Sequence, residues 1–396
     1  MYQNHTGQSV QSQPDPVQDQ GSKSSLGTTY ELTQPPKGLK TDLSNRFDRY
    51  SLQSVAAEVL HEERVAWCCR RVMDKRDFGI HDPRVQVWKR ENQEEASCYY
   101  KNLIKCGSVW TCPVCSNKIS EHRRRELVEG VETHLAAGGS VSMLTLTIRH
   151  TRQDRLLDLL NAFSRARRRF RDRKTWRRYA EAIGLKGSVM ALEVTYGKNG
   201  WHVHSHEVLF TEGPVRASDQ RMLSIAWQKA VVDAGLPAPT LVRGLVLDDR
   251  EAYAAAYAAK WGIEEEVTKS QYKSGGKGGL SPWQMLREIF EHGQDKRSDL
   301  VRAFREYGRH FKGKSQLRWS KGLRSLLGLD QEVRDQDLAD QEPDDYVLTF
   351  LGYLSSEQWK MILRHDVRGQ VLKIAEKDGW PGVIAYVQGL RGLFVC

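Results

Sequence analysis

The period of apolar and polar positions changes several times along the chain, and each change marks an element. Residues 1–42 show no period of either kind. They are rich in Gln, Ser, Pro, Gly and Thr, which cannot bury enough apolar surface to offset the entropy of ordering, so a disordered tail is expected there. Helical spacing begins near 43, is interrupted by cysteines, and closes on SEHRRRELVEGVETHL, which reads as one amphipathic helix. At Val141 the period drops to two in the β-branched, alternating VSMLTLTI. DRLLDLLNAFSRARRRFRDR then has helical spacing, and GSVMALEVTY and WHVHSHEVLF read as strands on either side of GKNG. DDREAYAAAYAAKW opens at an Asp cap and is alanine-rich, which predicts a helix, and SPWQMLREIF and SDLVRAFREYGRHF predict two more beyond KSGGKGG. Strand, helix, hairpin and further helices predict an α+β fold, an antiparallel sheet with flanking helices. A cysteine-rich module is expected over 43–135 and the sheet domain over 136–329. An acidic linker and a segment of mixed strand and helix character, with no legible role, fill 330–396.

On a strand, His202, His204 and His206 of WHVHSHEVLF point to one face. Same-face neighbours stand about 7 Å apart, close enough for imidazoles to converge on one divalent cation. A two-residue turn within GKNG centred on Lys198-Asn199 puts Glu193 opposite His204. Centring it on Asn199-Gly200 puts Glu193 opposite His206. Either register brings a carboxylate to the histidine face. In EAYAAAYAAKW, Tyr253, Tyr257 and Lys260 fall at i, i+4 and i+7 and share one helical face, where a phenol and an ammonium can meet one phosphate. Tyrosine is a weak nucleophile at its ordinary pKa near 10 unless a cation stabilises its oxyanion or offsets the phosphate charge.

Of seven cysteines, six lie between Cys68 and Cys115. Cys106, Cys112 and Cys115 form C-x5-C-P-x-C, a spacing suited to zinc thiolates in a reducing compartment. Cys98 is nearest in sequence as the fourth ligand, with Cys68 or Cys69 as alternatives that the fold can bring close. Formal net charge is +10, which favours a polyanionic partner. Arg167, Arg168, Arg169, Arg171 and Arg173, interleaved with Phe170, Trp176 and Tyr179, offer phosphate contacts and base-stacking rings for single-stranded DNA. No apolar run approaches the roughly 18 to 20 residues of a membrane span, and the first residues lack the build of a signal peptide. A soluble cytoplasmic protein with no membrane partner is expected.

LTLTI, GWHVHSHEVLF and YAAKW stand in the order and spacing of the three motifs of the HUH endonucleases, and the chain resembles plasmid rolling-circle replication initiators over roughly residues 100–330. The resemblance implies a ferredoxin-like catalytic core with a structural zinc module ahead of it, in a bacterial cytoplasm. It implies His204 and His206 as ligands of catalytic Mg2+ or Mn2+, with Glu193 or His202 as the third. The family usually has a bulky apolar residue between its ligand pair. Ser205 stands there, and Val203 between His202 and His204 meets that pattern literally. It further implies Tyr257 as nucleophile, assisted by Lys260, with Tyr253 in reserve. A 5′-phosphotyrosyl enzyme and a 3′-hydroxyl primer follow, with plasmid origin DNA, a host helicase and a host polymerase as partners. Tyr253, or a water activated by Glu264, Glu265 or Glu266, would complete the round. Conjugative relaxases and single-strand transposases share the chemistry. A zinc-dependent DNA-binding regulator and a metallohydrolase without a covalent tyrosine are the other classes these residues permit.

Overall fold

The structure is a computed structural model, and the residues it describes are 43–73, 84–91, 96–260, 279–342 and 347–392. The expected tail and Glu264, Glu265 and Glu266 lie outside them. Helix α1 (Leu43–Val59) precedes the antiparallel pair β1 (Val85–Glu91) and β2 (Ala96–Lys101). Helix α2 (Pro113–Ala136) has 24 residues, about 36 Å at 1.5 Å per residue. It carries the chain from the cysteine region onto the central sheet. That sheet is built from β3 (Ser140–Thr147), β4 (Gly187–Gly197), β5 (Gly200–Thr211), β6 (Leu245–Asp248) and β7 (Leu317–Trp319). All its pairings are antiparallel, in the order β6-β3-β5-β4-β7.

Both faces of the central sheet are covered, and the pleat of β5 shows how. Leu144 and Leu146 of β3 and Val203 and Leu209 of β5 share a core with α3 (Leu156–Asp172) and α5 (Gln220–Asp233). These helices contribute Leu159, Phe163, Phe170, Leu223, Trp227 and Val231, at the three- and four-residue spacing of one helical face. On the opposite face Val208 and Phe210 pack with Val141 and Met143 beneath Leu127, Val128 and Val131 of α2. Ala254, Ala255 and Ala258 of α6 (Glu251–Lys260) join that core. Toward the hairpin the same face of β5 changes from apolar to imidazole. The short helix α4 (Lys174–Ala182) follows α3, and α7 (Pro282–His292) and α8 (Ser298–Phe311) match the helices expected beyond the glycine-rich loop.

The last segment is not a separate appendage. Its strand β8 (Val347–Leu354) pairs antiparallel with β1, from Val85↔Leu354 to Glu91↔Val347, and completes a second sheet in the order β2-β1-β8. Helix α9 (Ser356–Arg364) and a final helical stretch, 368–392, follow, the latter broken at Gly379. Arg368 is wholly buried and donates to Gln53 Oε1 (2.6 Å), the Tyr50 carbonyl (2.8 Å), the Cys69 carbonyl (3.1 Å) and Ser54 Oγ (2.6 Å). These bonds offset the cost of burying a guanidinium and tie the last segment to α1 and to the turn that carries Cys69. Among the described residues no helix is long and apolar enough to cross a membrane.

Candidate active site

The hairpin turns on Lys198-Asn199, with Gly197 opposite Gly200, and of the two registers open to the sequence this is the one that sets Glu193 opposite His204. Gly200 has φ of +80°, a left-handed conformation that glycine adopts without a steric penalty. The ligand-type atoms of Glu193, His204 and His206 all lie within 4.8 Å of one another. His204 Nε2 is 3.3 Å and His206 Nε2 3.7 Å from Glu193 Oε2. The other carboxylate oxygen, Oε1, accepts a 3.1 Å hydrogen bond from the Tyr257 hydroxyl. Burial opposes the charge on Glu193, but the hydrogen bond from His204, with the further pull of His206 and Tyr257, outweighs it and holds the carboxyl at about 2.

His206 Nδ1 lies 3.0 Å from Thr145 Oγ1, its cross-strand neighbour on β3, which fixes the ring so that Nε2 faces the carboxylate. His204 Nδ1 is buried without a hydrogen-bond partner. That ring is held by its neighbours instead, stacked on His202 at 4.8 Å and edge-on to His206 at 5.2 Å. His202 stands outside the trio, against His150 at 5.2 Å. Burial first, then His204 and His150, lower the His202 pKa to about 4, so it is neutral at physiological pH. Burial also lowers that of His206, partly opposed by Glu193. Neutral imidazole is the form that binds metal.

Tyr257 and Tyr253 share a helical stripe but not an environment. The alanines at 254, 255 and 258 let α6 lie close on the sheet, and Tyr257 packs its ring 5.3 Å from His206. Tyr253 is 46% exposed under the Arg250 guanidinium. Lys260 ends α6, and its side chain falls outside the described residues.

The cysteine cluster is Cys68, Cys106, Cys112 and Cys115, all buried. Sulfur pairs at 3.5 Å (Cys68 to Cys112 and to Cys115) and 3.8 Å (Cys106 to Cys115) leave the four thiols facing one point. Cys98, the nearest candidate in sequence, is not among them. It lies on β2, where its backbone N–H donates to Glu376, and burial followed by Glu376 pushes its thiol up to about 11. A β-strand pinned by β1 holds it in place, whereas the turn after α1 delivers Cys68. The CPVC run does more than turn. Cys112 caps α2 and Pro113 occupies its first position, so two sulfurs sit at the amino-terminal end of a long helix.

Residues 101–226 match the replication-protein family. The chain's relatives include "Protein rep" of Streptomyces lividans, 26% identical over 348 residues, which cover 70% of this chain and 76% of that protein. The "Neomycin resistance protein" of Streptomyces cyanogenus is 33% identical over 144 residues, 30% of this chain and 32% of its own length. No solved structure matches the chain. The matched residues take in most of the cysteine cluster, β3, the histidine hairpin and the start of α5, while α6 with its tyrosines lies beyond them.

Within the matched residues the arginine helix turns Arg167 and Arg171 inward. Both clamp Glu207, which is fully buried on the face of β5 opposite the imidazoles, Arg167 through bonds of 2.7 and 3.0 Å. Trp176 is 4% exposed, packed on Phe170 with the Arg171 guanidinium 3.8 Å over its ring, and Tyr179 is equally buried. These rings sit at core spacing and are buried among the apolar residues of the helix. Arg173 pairs with Asp233 at 2.5 Å, and Arg168 and Arg169 remain exposed. Thr145 and Glu207 went unassigned in the sequence, and Cys68 stood there only as an alternative to Cys98. Only the pleat phase of LTLTI hinted at Thr145, and no local signal marked Glu207.

Proposed function

We propose that the protein initiates plasmid replication by nicking one strand of origin DNA through Tyr257. The observation that carries the reading is the double use of Glu193, one oxygen turned to His204 and His206 and the other accepting from the Tyr257 hydroxyl. Two imidazoles and a carboxylate, with His204 Nδ1 unpartnered, form a mixed donor set that fits a divalent cation, manganese better than all-oxygen magnesium sites. When bound there, the cation would offset negative charge on a scissile phosphate.

The chain's own residues supply the rest. Glu193 Oε1 orients the phenol and Thr145 orients His206. Tyr257 Oη gives up its proton to solvent and forms a bond to phosphorus as the bond to the 3′-oxygen breaks, leaving a 5′-phosphotyrosine and a 3′-hydroxyl once a solvent proton reaches the departing oxygen. The 3′-hydroxyl is the primer end that a host polymerase extends while a host helicase opens the duplex. Lys260, on the same helix, is assigned to the phosphate. Cys68, Cys106, Cys112 and Cys115 fit a structural zinc, since four buried sulfurs facing one point are the donor set of a closed tetrahedral zinc site.

Labelled single-stranded origin DNA incubated with the protein and manganese should remain attached after denaturation. Tyr257→Phe should lower adduct formation at least ~1000-fold, the scale of losing a covalent nucleophile, and Tyr253→Phe should leave it. Peptide mapping that finds the nucleotide on Tyr253 would refute the assignment. Origin binding without any adduct would return the chain to the class of zinc-dependent regulators.

A further inference from the structure

The row of rings beside Glu193 does not stop at His204 and His206. From Tyr257 it runs through His206 (5.3 Å), His204 (5.2 Å) and His202 (4.8 Å) to His150 (5.2 Å), each distance taken from the ring before. His150 reaches the row because the β3–β5 ladder ends at Thr147↔His204. Continued by two residues, that ladder would set Arg149 opposite His202. The chain instead leaves the strand and lies against the hairpin tip. His150 Nδ1–H donates to the Asn199 carbonyl at 2.9 Å, which leaves Nε2 as an acceptor. A Cβ at Gly200 would lie 2.8 Å from the Thr151 carbonyl oxygen and 3.0 Å from the Arg152 Cα, so glycine is what lets the loop approach the turn this closely.

Cations gather where the row ends. Arg149 and Arg152 on the loop and Lys198 in the turn are exposed, and none has an ion-pair or hydrogen-bond partner among the described residues. The acid of the loop 149–155, Asp154, is engaged within it, accepting from the Thr151 backbone N–H (2.6 Å) and hydroxyl (3.0 Å). Arg152 has its backbone against Gly200, Lys198 stands two residues before that glycine, and Arg149 adjoins His150. The loop is thus fastened to the hairpin by backbone contacts, while its cations and that of the turn are left to solvent.

We propose that the loop 149–155 and the hairpin tip hold the nucleotides next to the scissile phosphate, with Arg149, Arg152 and Lys198 on phosphates and the rings of His150 and His202 against a base. The inference rests on the nicking reading for which strand lies there. Continuity selects the occupant. A strand with one phosphate at Tyr257 runs on from it, and along β5 it meets flat rings bordered by unpaired cations, the two surfaces that an unpaired strand uses. A duplex would offer its phosphates but keep its bases stacked on one another. An acidic peptide would meet the cations and leave the rings unused.

The test is fluorescence anisotropy of the full chain with a short labelled oligo(dT), over a range of salt and without added manganese. Arg149→Gln/Arg152→Gln/Lys198→Gln, at exposed positions, should weaken binding at least about tenfold and make log affinity against log salt shallower by about 2, since each phosphate contact on a single strand contributes roughly 0.7. Arg178→Gln/Arg221→Gln/Lys229→Gln removes the same charge from exposed positions of α4 and α5, the helices on the other face of the sheet, and should stay within about twofold of the native chain. His150→Leu should cost about threefold, and His150→Phe, which keeps a flat ring, should not. Unchanged affinity and slope in the loop variant overturn the proposal, and so do equal losses in the two triple variants or a greater loss toward duplex than toward oligo(dT). His150→Leu binding like the native chain overturns the base contact. If the native chain forms no tyrosine adduct with origin DNA yet the loop variant still loses oligo(dT), the nicking reading fails and the loop remains a single-strand site. If both chains form the adduct with oligo(dT) affinity unchanged, the nicking reading stands and the subsite fails.

Discussion

Cys68 and Cys98 are both buried thiols in the same module, and their fates differ by position alone. Cys68 faces Cys106, Cys112 and Cys115, whereas Cys98 is held away on β2 with its pKa pushed up to about 11 by burial and Glu376. Cys68→Ser should therefore reduce bound zinc from about one per chain to nearly none, because loss of one of four ligands removes most of the site's affinity. Cys98→Ser should leave it. Metal analysis of the freshly purified variants decides, and zinc retained by Cys68→Ser would show that the tetrad is not the site. At this scale the sequence supplied three of the four cysteines. The fourth depended on which segment the fold laid beside them, a choice that sequence distance does not encode.

At the scale of elements, helix α3 and strand β5 are joined by a buried charge. Burial alone would raise the Glu207 pKa, but Arg171 and then Arg167 outweigh it and hold it at about 2 against an ordinary 4.5. A depressed folded pKa contributes stability that is complete above about 4.5 and is lost as pH falls toward about 2. Glu207→Gln should remove that acid-side loss and cost roughly 3–5 kcal/mol at neutral pH, because two guanidiniums are left facing an amide. Denaturant titrations at pH 7 and pH 3 measure both, and a variant as stable as the native chain at pH 7 would mean the triad is not a tie. The elements themselves were largely legible. The expected strands at VSMLTLTI, GSVMALEVTY and WHVHSHEVLF and the helix at EAYAAAYAAKW all form, because their period and composition agree locally. The arginine helix was legible as a helix, but its function was not. The same residues can face phosphate or clamp a buried carboxylate, and only the packing of α3 on β5 selects the clamp.

At the scale of the whole molecule, the carboxy-terminal segment completes the amino-terminal one. β8 covers an edge of β1, and Arg368 fills donor positions beneath α1. A chain ending at Glu342 should leave β1 unpaired on that side and open the inner face of the second sheet. Its soluble yield should fall several-fold and its zinc should be lost, rather than an intact nicking domain being released. Full zinc and full adduct formation in the truncated chain would contradict this.

By itself the sequence determined what short-range pattern can encode: an antiparallel α+β fold, a histidine face opposed by Glu193, and an alanine-rich helix carrying two tyrosines on one stripe. Only the tertiary structure decided between the two hairpin registers, brought Tyr257 rather than Tyr253 to the carboxylate, placed Cys68 in the tetrad, turned Arg167 and Arg171 inward, and returned β8 to β1. The physical reason is common to all five. Periodicity and propensity act over a few residues, whereas each of these outcomes is a contact between groups whose partner is chosen by packing, desolvation and charge pairing in the folded chain.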